Sequence, residues 1–343
     1  MKVFVTGGSG FVGANLIRLL VSEGFTVRAL VRPGSLRSHL ADLPRERVEW
    51  VEGDLASPEG LRHAMEGCRR LYHVAADYRL WVPDPASMYA VNVRATRAIL
   101  EEARAAGVEK AVYCSSVAVL GTSPDGTPLD ESSDPGVDAL EGHYRKSKYL
   151  GEKEALAVNA DGFPVVVVNP SAPVGPWDVK PTPTGRIVLD FQRGRMPAYL
   201  DTGLNLVDVR DVCRGHLLAM ARGRPGERYI LGNVNLTLKQ ILEILAGVTG
   251  RPAPRIRIPH ALVLWMAYAN EALSRYVTRR EPLIPLSAVR HAAHYMFYRS
   301  DKAIRELGFT PTPIEVALRD AARWFEKNGY VAGRPKFRAG IAS

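Results

Sequence analysis

The sequence predicts an α/β protein built on a doubly wound parallel sheet, followed by a smaller C-terminal α/β lobe. Three observations carry this. Short apolar runs alternate with helical patterns from Lys2 to about Asn169, the first run stops at a cluster of glycines, and the chain turns proline-rich after Asn169. Strands separated by helices pair in parallel, because each crossover helix carries the chain back to the same end of the sheet and covers one of its faces.

In chain order, "KVFV", "TVRALVR", "VEWVEGDL", "RRLYHVAA", "KAVYCSS" and "PVVVVNP" read as six strands. Between the fourth and fifth, "VRATRAILEEARAAG" (residues 93–107) reads as a helix stopped by its final glycine. The stretch "PSAPVGPWDVKPTPTG" carries Pro170, Pro173, Pro176, Pro181 and Pro183 and predicts an irregular loop, long enough to be functional. Downstream, "ERYILGNVNLTLKQILEILAGVTG" reads as a strand, a Thr237 cap and a helix, and "SDKAIRELGF" and "PIEVALRDAARWFEKNG" as two more helices. The resulting division is a sheet domain over 1–169, a smaller lobe over 170–330 with some chain returning to the sheet core, and a loose tail over 331–343.

The 343 residues have the apolar and charged fractions of an ordinary globular protein. Cys68, Cys114 and Cys213 are scattered without metal-ligand or disulfide spacing, so no metal is expected and a reducing, cytoplasmic compartment is the simplest reading. The N-terminus enters a strand directly, without the pattern of a signal peptide. The formal net charge of +9 favours anionic partners by steering. The arginines are dispersed and no recognition module accompanies them, which ranks a phosphorylated small molecule above nucleic acid. "ALVLWMAYA" (261–269), flanked by His260, Arg275, Arg279 and Arg280, is about half the length needed to span a bilayer. It reads as a core helix of the smaller lobe or, alternatively, as a segment lying on a membrane surface or shaping an apolar pocket.

"TGGSGFVG" sits between the first strand and a helix, with Gly7, Gly10 and Gly13 spaced for a tight turn, close approach of a pyrophosphate and close helix packing. The following helix offers its free amides and positive dipole end to phosphate, which makes the first domain a Rossmann-type dinucleotide site. Where that fingerprint usually places an acid on the ribose hydroxyls, the second strand ends in Arg32, which suits a 2′-phosphate. NADP is therefore expected over NAD. Asp54, in "EGDL", is placed to accept from the adenine amino group or to cap the next turn.

Tyr144 and Lys148 in "YRKSK" share one helix face, and an ammonium beside a phenol stabilises the phenolate and lowers its pKa towards general acid/base work. "YCSSVAVLG" delivers Ser115 and Ser116 to the carboxyl edge of the sheet, where a hydroxyl can hold a substrate oxygen. Tyr78 and Trp81 in "ADYRLWVPD" are candidates to floor the pocket, and Asn169 to reach the substrate from the sixth strand.

With "TGGSGFVG", "GDL", "HVAA", "VNVRAT", "SSVAVLG", "YRKSK", "NPSAPVGP" and "NLVDVRDV" in order, nearly the whole chain resembles the extended short-chain dehydrogenase/reductases, the epimerase/dehydratase group. Within it the chain looks most like hopanoid-associated sugar epimerases and dihydroflavonol-4-reductase-like proteins. The resemblance implies a catalytic triad of Ser116, Tyr144 and Lys148. It also implies a cofactor lying along Gly7, Gly10, Phe11, Val12 and Gly13, with Arg32, Asp54, Leu55, Ala75, Ala76, Pro170 and, from the triad itself, Tyr144 and Lys148 completing its site, Lys148 holding the ribose. Relatives often dimerise through helices like 93–107 and the one bearing Tyr144, so a homodimer is expected. Sugar-nucleotide dehydratases place an Asp-Glu pair where Val117 and Ala118 stand, which disfavours dehydration, and Leu120 and Arg32 depart from the common epimerase pattern. The sequence thus points to an NADP-linked reductase of a ketone or secondary alcohol. The alternatives are an epimerase that keeps its cofactor, and a non-catalytic NADP sensor or membrane-surface protein.

Overall fold

The computed structural model describes residues 1–55, 60–79, 82, 84–123, 125–273, 290 and 293–337. Six strands appear where the apolar runs predict them: β1 (Lys2–Thr6), β2 (Thr26–Val31), β3 (Val48–Glu52), β4 (Arg70–His73), β5 (Lys110–Cys114) and β6 (Val165–Pro170). Further strands are β7 (Ala172–Val174), β8 (Ala198–Leu200), β9 (Gly203–Asp208), β10 (Arg228–Leu231), β11 (Val234–Thr237), β12 (Ile256–Ile258) and β13 (Tyr295–Met296). The main sheet runs β10-β6-β5-β4-β1-β2-β3, all parallel. β10 is the chain returning to the sheet core.

Helices α1 (Phe11–Ser22), α2 (Leu61–Met65), α3 (Ala86–Tyr89), α4 (Ala95–Ala105), α5 (His143–Ala160), α6 (Pro183–Gln192), α7 (Val209–Arg222), α8 (Leu238–Thr249), α9 (His260–Leu273) and α10 (Ile314–Lys327) complete the described residues, with π-helical turns at Ala90–Arg94 and Ala303–Leu307. Alternation along β1 sends Val3 and Val5 to a core shared with Leu16 and Leu20 of α1 and Val212 of α7. Phe4 points the other way, to Ile99 and Leu100 of α4 and Val158 of α5. Both faces are covered, so the strands carry near-continuous apolar runs.

The smaller lobe centres on β9, paired antiparallel with β11 and parallel with β7 and β13. Its core joins Val188 and Phe191 of α6, Ile241 and Leu245 of α8, and Leu318, Trp324 and Phe325 of α10. Thr237 caps α8 in a reciprocal box with Gln240, as the sequence predicts.

Four expectations need correcting. The proline-rich stretch is not wholly irregular: Ala172–Val174 forms β7, because proline is tolerated in a short strand bordering a loop, and Thr182 caps α6 with Pro183 in its first turn. The helix expected from residue 93 begins only after the π-helical turn, where Thr96 Oγ1 donates to the Asn92 carbonyl at 2.9 Å. The tail is packed as far as Phe337, which stacks on Trp324, while Tyr330 is buried and its hydroxyl donates to Val179 O at 2.9 Å. Finally, α9 is not a core helix, since Trp265 is 73% exposed. Among the described residues no helix is long and apolar enough to cross a membrane, and no cluster of metal-ligating side chains occurs.

Candidate active site

Parallel register brings the strand ends together. Thr6 of β1 lies beside Leu30 of β2 and His73 of β4, and Cys114 of β5 beside Val168 of β6. Gly7, Arg32, Asp54, Ala75, Ala76 and Ser116 therefore all follow strands at one edge, and Pro170 ends β6 there. This is the edge where open α/β sheets bind ligands.

The glycine turn is a cradle that side chains would fill. Gly7 has φ +72°, and a Cβ there would lie 2.7 Å from the Ala75 backbone. A Cβ on Gly13 would overlap the Gly7 carbonyl. Gly10 donates to Gly7 O at 2.9 Å and begins α1 without a side-chain cap or an acid in the first turn, leaving the amides at Phe11 and Val12 open to an anion. These features fit a dinucleotide pyrophosphate. Arg32 stands exposed just past β2 with no hydrogen bond or ion pair from its guanidinium among the described residues, and its charge reaches Asp77 and Tyr78. Leu55 is buried in the sheet core, so its side chain serves packing.

Ser116, Tyr144 and Lys148 converge. The Ser116 hydroxyl accepts from Ala118 N at 3.1 Å and lies close enough to the Tyr144 phenol to favour its ionised form. Lys148 is fully buried and donates to the Tyr113 hydroxyl and to Cys114 O, each at 2.9 Å. Burial pushes its ammonium down, opposed first by the Tyr144 phenol. The Tyr144 phenol lies above its ordinary value, not below it as the pairing alone predicts, because desolvation outweighs the Lys148 charge and the nearby Ser116 hydroxyl. A carbonyl oxygen placed between Ser116 and Tyr144 would meet two hydroxyls, one able to release its proton beside a buried cation.

Asn169 does not line a pocket: it is fully buried, and its Nδ2 donates to Ser116 O at 3.1 Å and to Glu152 Oε2 at 2.8 Å, so it ties β6 to the strand end bearing Ser116. Tyr78 is exposed, and Trp81 lies outside the described residues. The pattern reading missed the support behind Lys148. His73 bonds Thr6 Oγ1 at 2.7 Å and Thr96 Oγ1 at 3.2 Å, and its ring lies 5.5 Å from that of Tyr113. Asn92 clamps the chain after β4, donating to Asp77 O and accepting from Asp77 N at 2.8 Å each. No spacing rule links these residues, although "VNVRAT" marks two of them.

The chain is 49% identical over 332 residues, covering 96% of itself and 95% of the relative, to a putative dihydroflavonol 4-reductase of Synechocystis. It is 37% identical to sterol demethylase protein B of Methylococcus capsulatus, covering 96% of itself and all of that protein. Among solved structures it superposes on a nucleoside-diphosphate-sugar epimerase from Pseudomonas aeruginosa with TM-score 0.78 at 27% identity, covering 96% of this chain and 99% of that one. The family model matches residues 3–232, and the chain belongs to the NAD dependent epimerase/dehydratase family.

Proposed function

We propose that this oxidoreductase is an NADP-dependent reductase that passes hydride between the nicotinamide and a ketone or secondary alcohol on an apolar substrate. The observation that carries the reading is the convergence of Ser116, Tyr144 and Lys148 at the sheet edge that holds the glycine cradle. A dinucleotide held by its pyrophosphate in that cradle would supply or accept the hydride through its nicotinamide. Ser116 orients the substrate oxygen, Tyr144 gives or takes the proton there, and Lys148 holds positive charge behind the phenol. The exposed Arg32 supports NADP, since a guanidinium pairs with a 2′-phosphate and cannot accept from ribose hydroxyls. Val117 and Ala118 supply no acid/base pair for elimination beside Ser116. The relative named for sterol demethylation and the one named for dihydroflavonol reduction support an apolar, ring-containing substrate.

The test is titration of the purified protein with NADPH and NADH, followed by turnover of apolar ketones. NADPH is expected to bind more tightly, and Arg32→Ser to remove that preference. Tyr144→Phe is expected to lower kcat by about 10²–10⁴-fold. A preference for NADH overturns the Arg32 argument. Oxidised cofactor retained through purification, with no exchange, favours the epimerase reading instead.

A further inference from the structure

Among the described residues, eight large apolar side chains stand exposed, and five of them fall within thirteen residues of sequence: Ile256 at 66% on β12, and Leu262 at 53%, Trp265 at 73%, Met266 at 47% and Tyr268 at 49% on α9. Leu262, Trp265, Met266 and Ala269 repeat at intervals of three and four, so they form one stripe along α9, with Ala261 and Tyr268 at its borders. No ionisable side chain other than the Tyr268 phenol occurs from Ala261 to Asn270. A water-facing helix with such a stripe marks an interaction surface. Trp and Tyr rings, apolar in body and polar at one atom, suit the headgroup level of a bilayer.

Cations border the stripe. Arg255 and Arg257 are exposed on the strand leading into α9, and Arg290 donates to the Tyr268 hydroxyl at 2.9 Å. The acids nearby are Asp201, paired with Arg257 at 2.8 Å, and Glu141 and Glu271, both within electrostatic range of Arg290. In sequence, Arg275, Arg279 and Arg280 follow within a short distance, against the single acid Glu281.

We propose that α9 docks the protein onto an anionic phospholipid bilayer, its stripe entering the acyl boundary while Arg255, Arg257 and Arg290 meet the headgroups, so that the enzyme works beside the lipid in which an apolar substrate dissolves. The inference rests on the apolar-substrate reading above. Its test needs no substrate, which keeps the two failures apart.

The full chain is floated with vesicles of phosphatidylglycerol and phosphatidylcholine, and with phosphatidylcholine alone, at low and high salt. The expected result is flotation with the anionic vesicles, weakened by salt, with Trp265→Glu lowering the partition at least about tenfold and Trp265→Phe retaining most of it. NADPH affinity is measured on each variant and stays at the wild-type value, which reports an intact fold. Three results overturn the proposal: wild-type protein left unbound with anionic vesicles, Trp265→Glu floating as well as wild type, or Trp265→Glu converting a dimer to a monomer, which assigns the stripe to a second copy of the chain. Reduction of a water-soluble ketone without vesicles tests the reductase reading separately.

Discussion

Lys148 is a buried ammonium whose donors are fixed by Tyr113 Oη and Cys114 O, and the Tyr113 ring is packed against His73. Tyr113 touches no reacting atom and acts as a positioning residue, holding a charge where the Tyr144 phenol feels it. Tyr113→Phe leaves the ring packing in place and removes one acceptor from a desolvated cation, a loss of about 1–3 kcal/mol. With that acceptor gone, the charged form of Lys148 is disfavoured and stabilises the Tyr144 phenolate less. The limb of the pH–rate profile that reports Tyr144 is therefore expected to move to higher pH, with kcat reduced about tenfold. A profile unchanged in position, with only stability lost, would reduce Tyr113 to a packing role.

At the scale of elements, the site depends on how closely α5 approaches the π-helical turn before α4. Gly151 permits that approach: a Cβ there would overlap the Asn92 carbonyl oxygen and stand 2.9 Å from the Tyr113 hydroxyl. Since Tyr144 and Lys148 ride on the same helix, Gly151→Ala is expected to cost about 1–3 kcal/mol and to lower kcat together with the melting temperature. Gly247, exposed on α8 with open space around its Cα, is the matched control. Gly247→Ala is expected to raise stability by about 0.5–1 kcal/mol and leave kcat alone. Equal effects at the two sites would refute the argument from close approach.

For the whole molecule, buried titratable groups set the pH range of stability. Desolvation lowers His39 to about 4, His73 to about 3 and His216 to about 4, from an ordinary 6.5. Their neutral burial contributes stability that is fully present above pH 6.5 and is lost as pH falls through the folded values. The melting temperature should therefore drop steeply between pH 6.5 and 4. Asp178 runs the other way. It is buried, accepts from Thr182 N and Oγ1, and is pushed up to about 7 by desolvation, so its ionisation costs stability as pH rises from 3.8 through 7. Asp178→Asn removes that cost. The variant is expected to gain up to about 4 kcal/mol relative to wild type at pH 8 but not at pH 4. A difference between the two proteins that does not change with pH would show that Asp178 is not titrating in this window.

The sequence by itself determined the parallel sheet, the glycine cradle and the pairing of Tyr144 with Lys148, because each rests on local periodicity or on a spacing of a few residues. Strand runs such as "PVVVVNP" and the Thr237 cap are legible for the same reason: the information lies within one turn or one pleat. What only the tertiary structure decided depends on residues far apart in the chain. Tyr113 meets Lys148 across 35 positions and Asn169 turns inward to Ser116 across 53, contacts set by strand order and not by pattern. The sign of the Tyr144 shift follows from burial, which no spacing encodes. The same holds for α9: its apolar run reads first as a core helix, and packing alone leaves Trp265 facing outward.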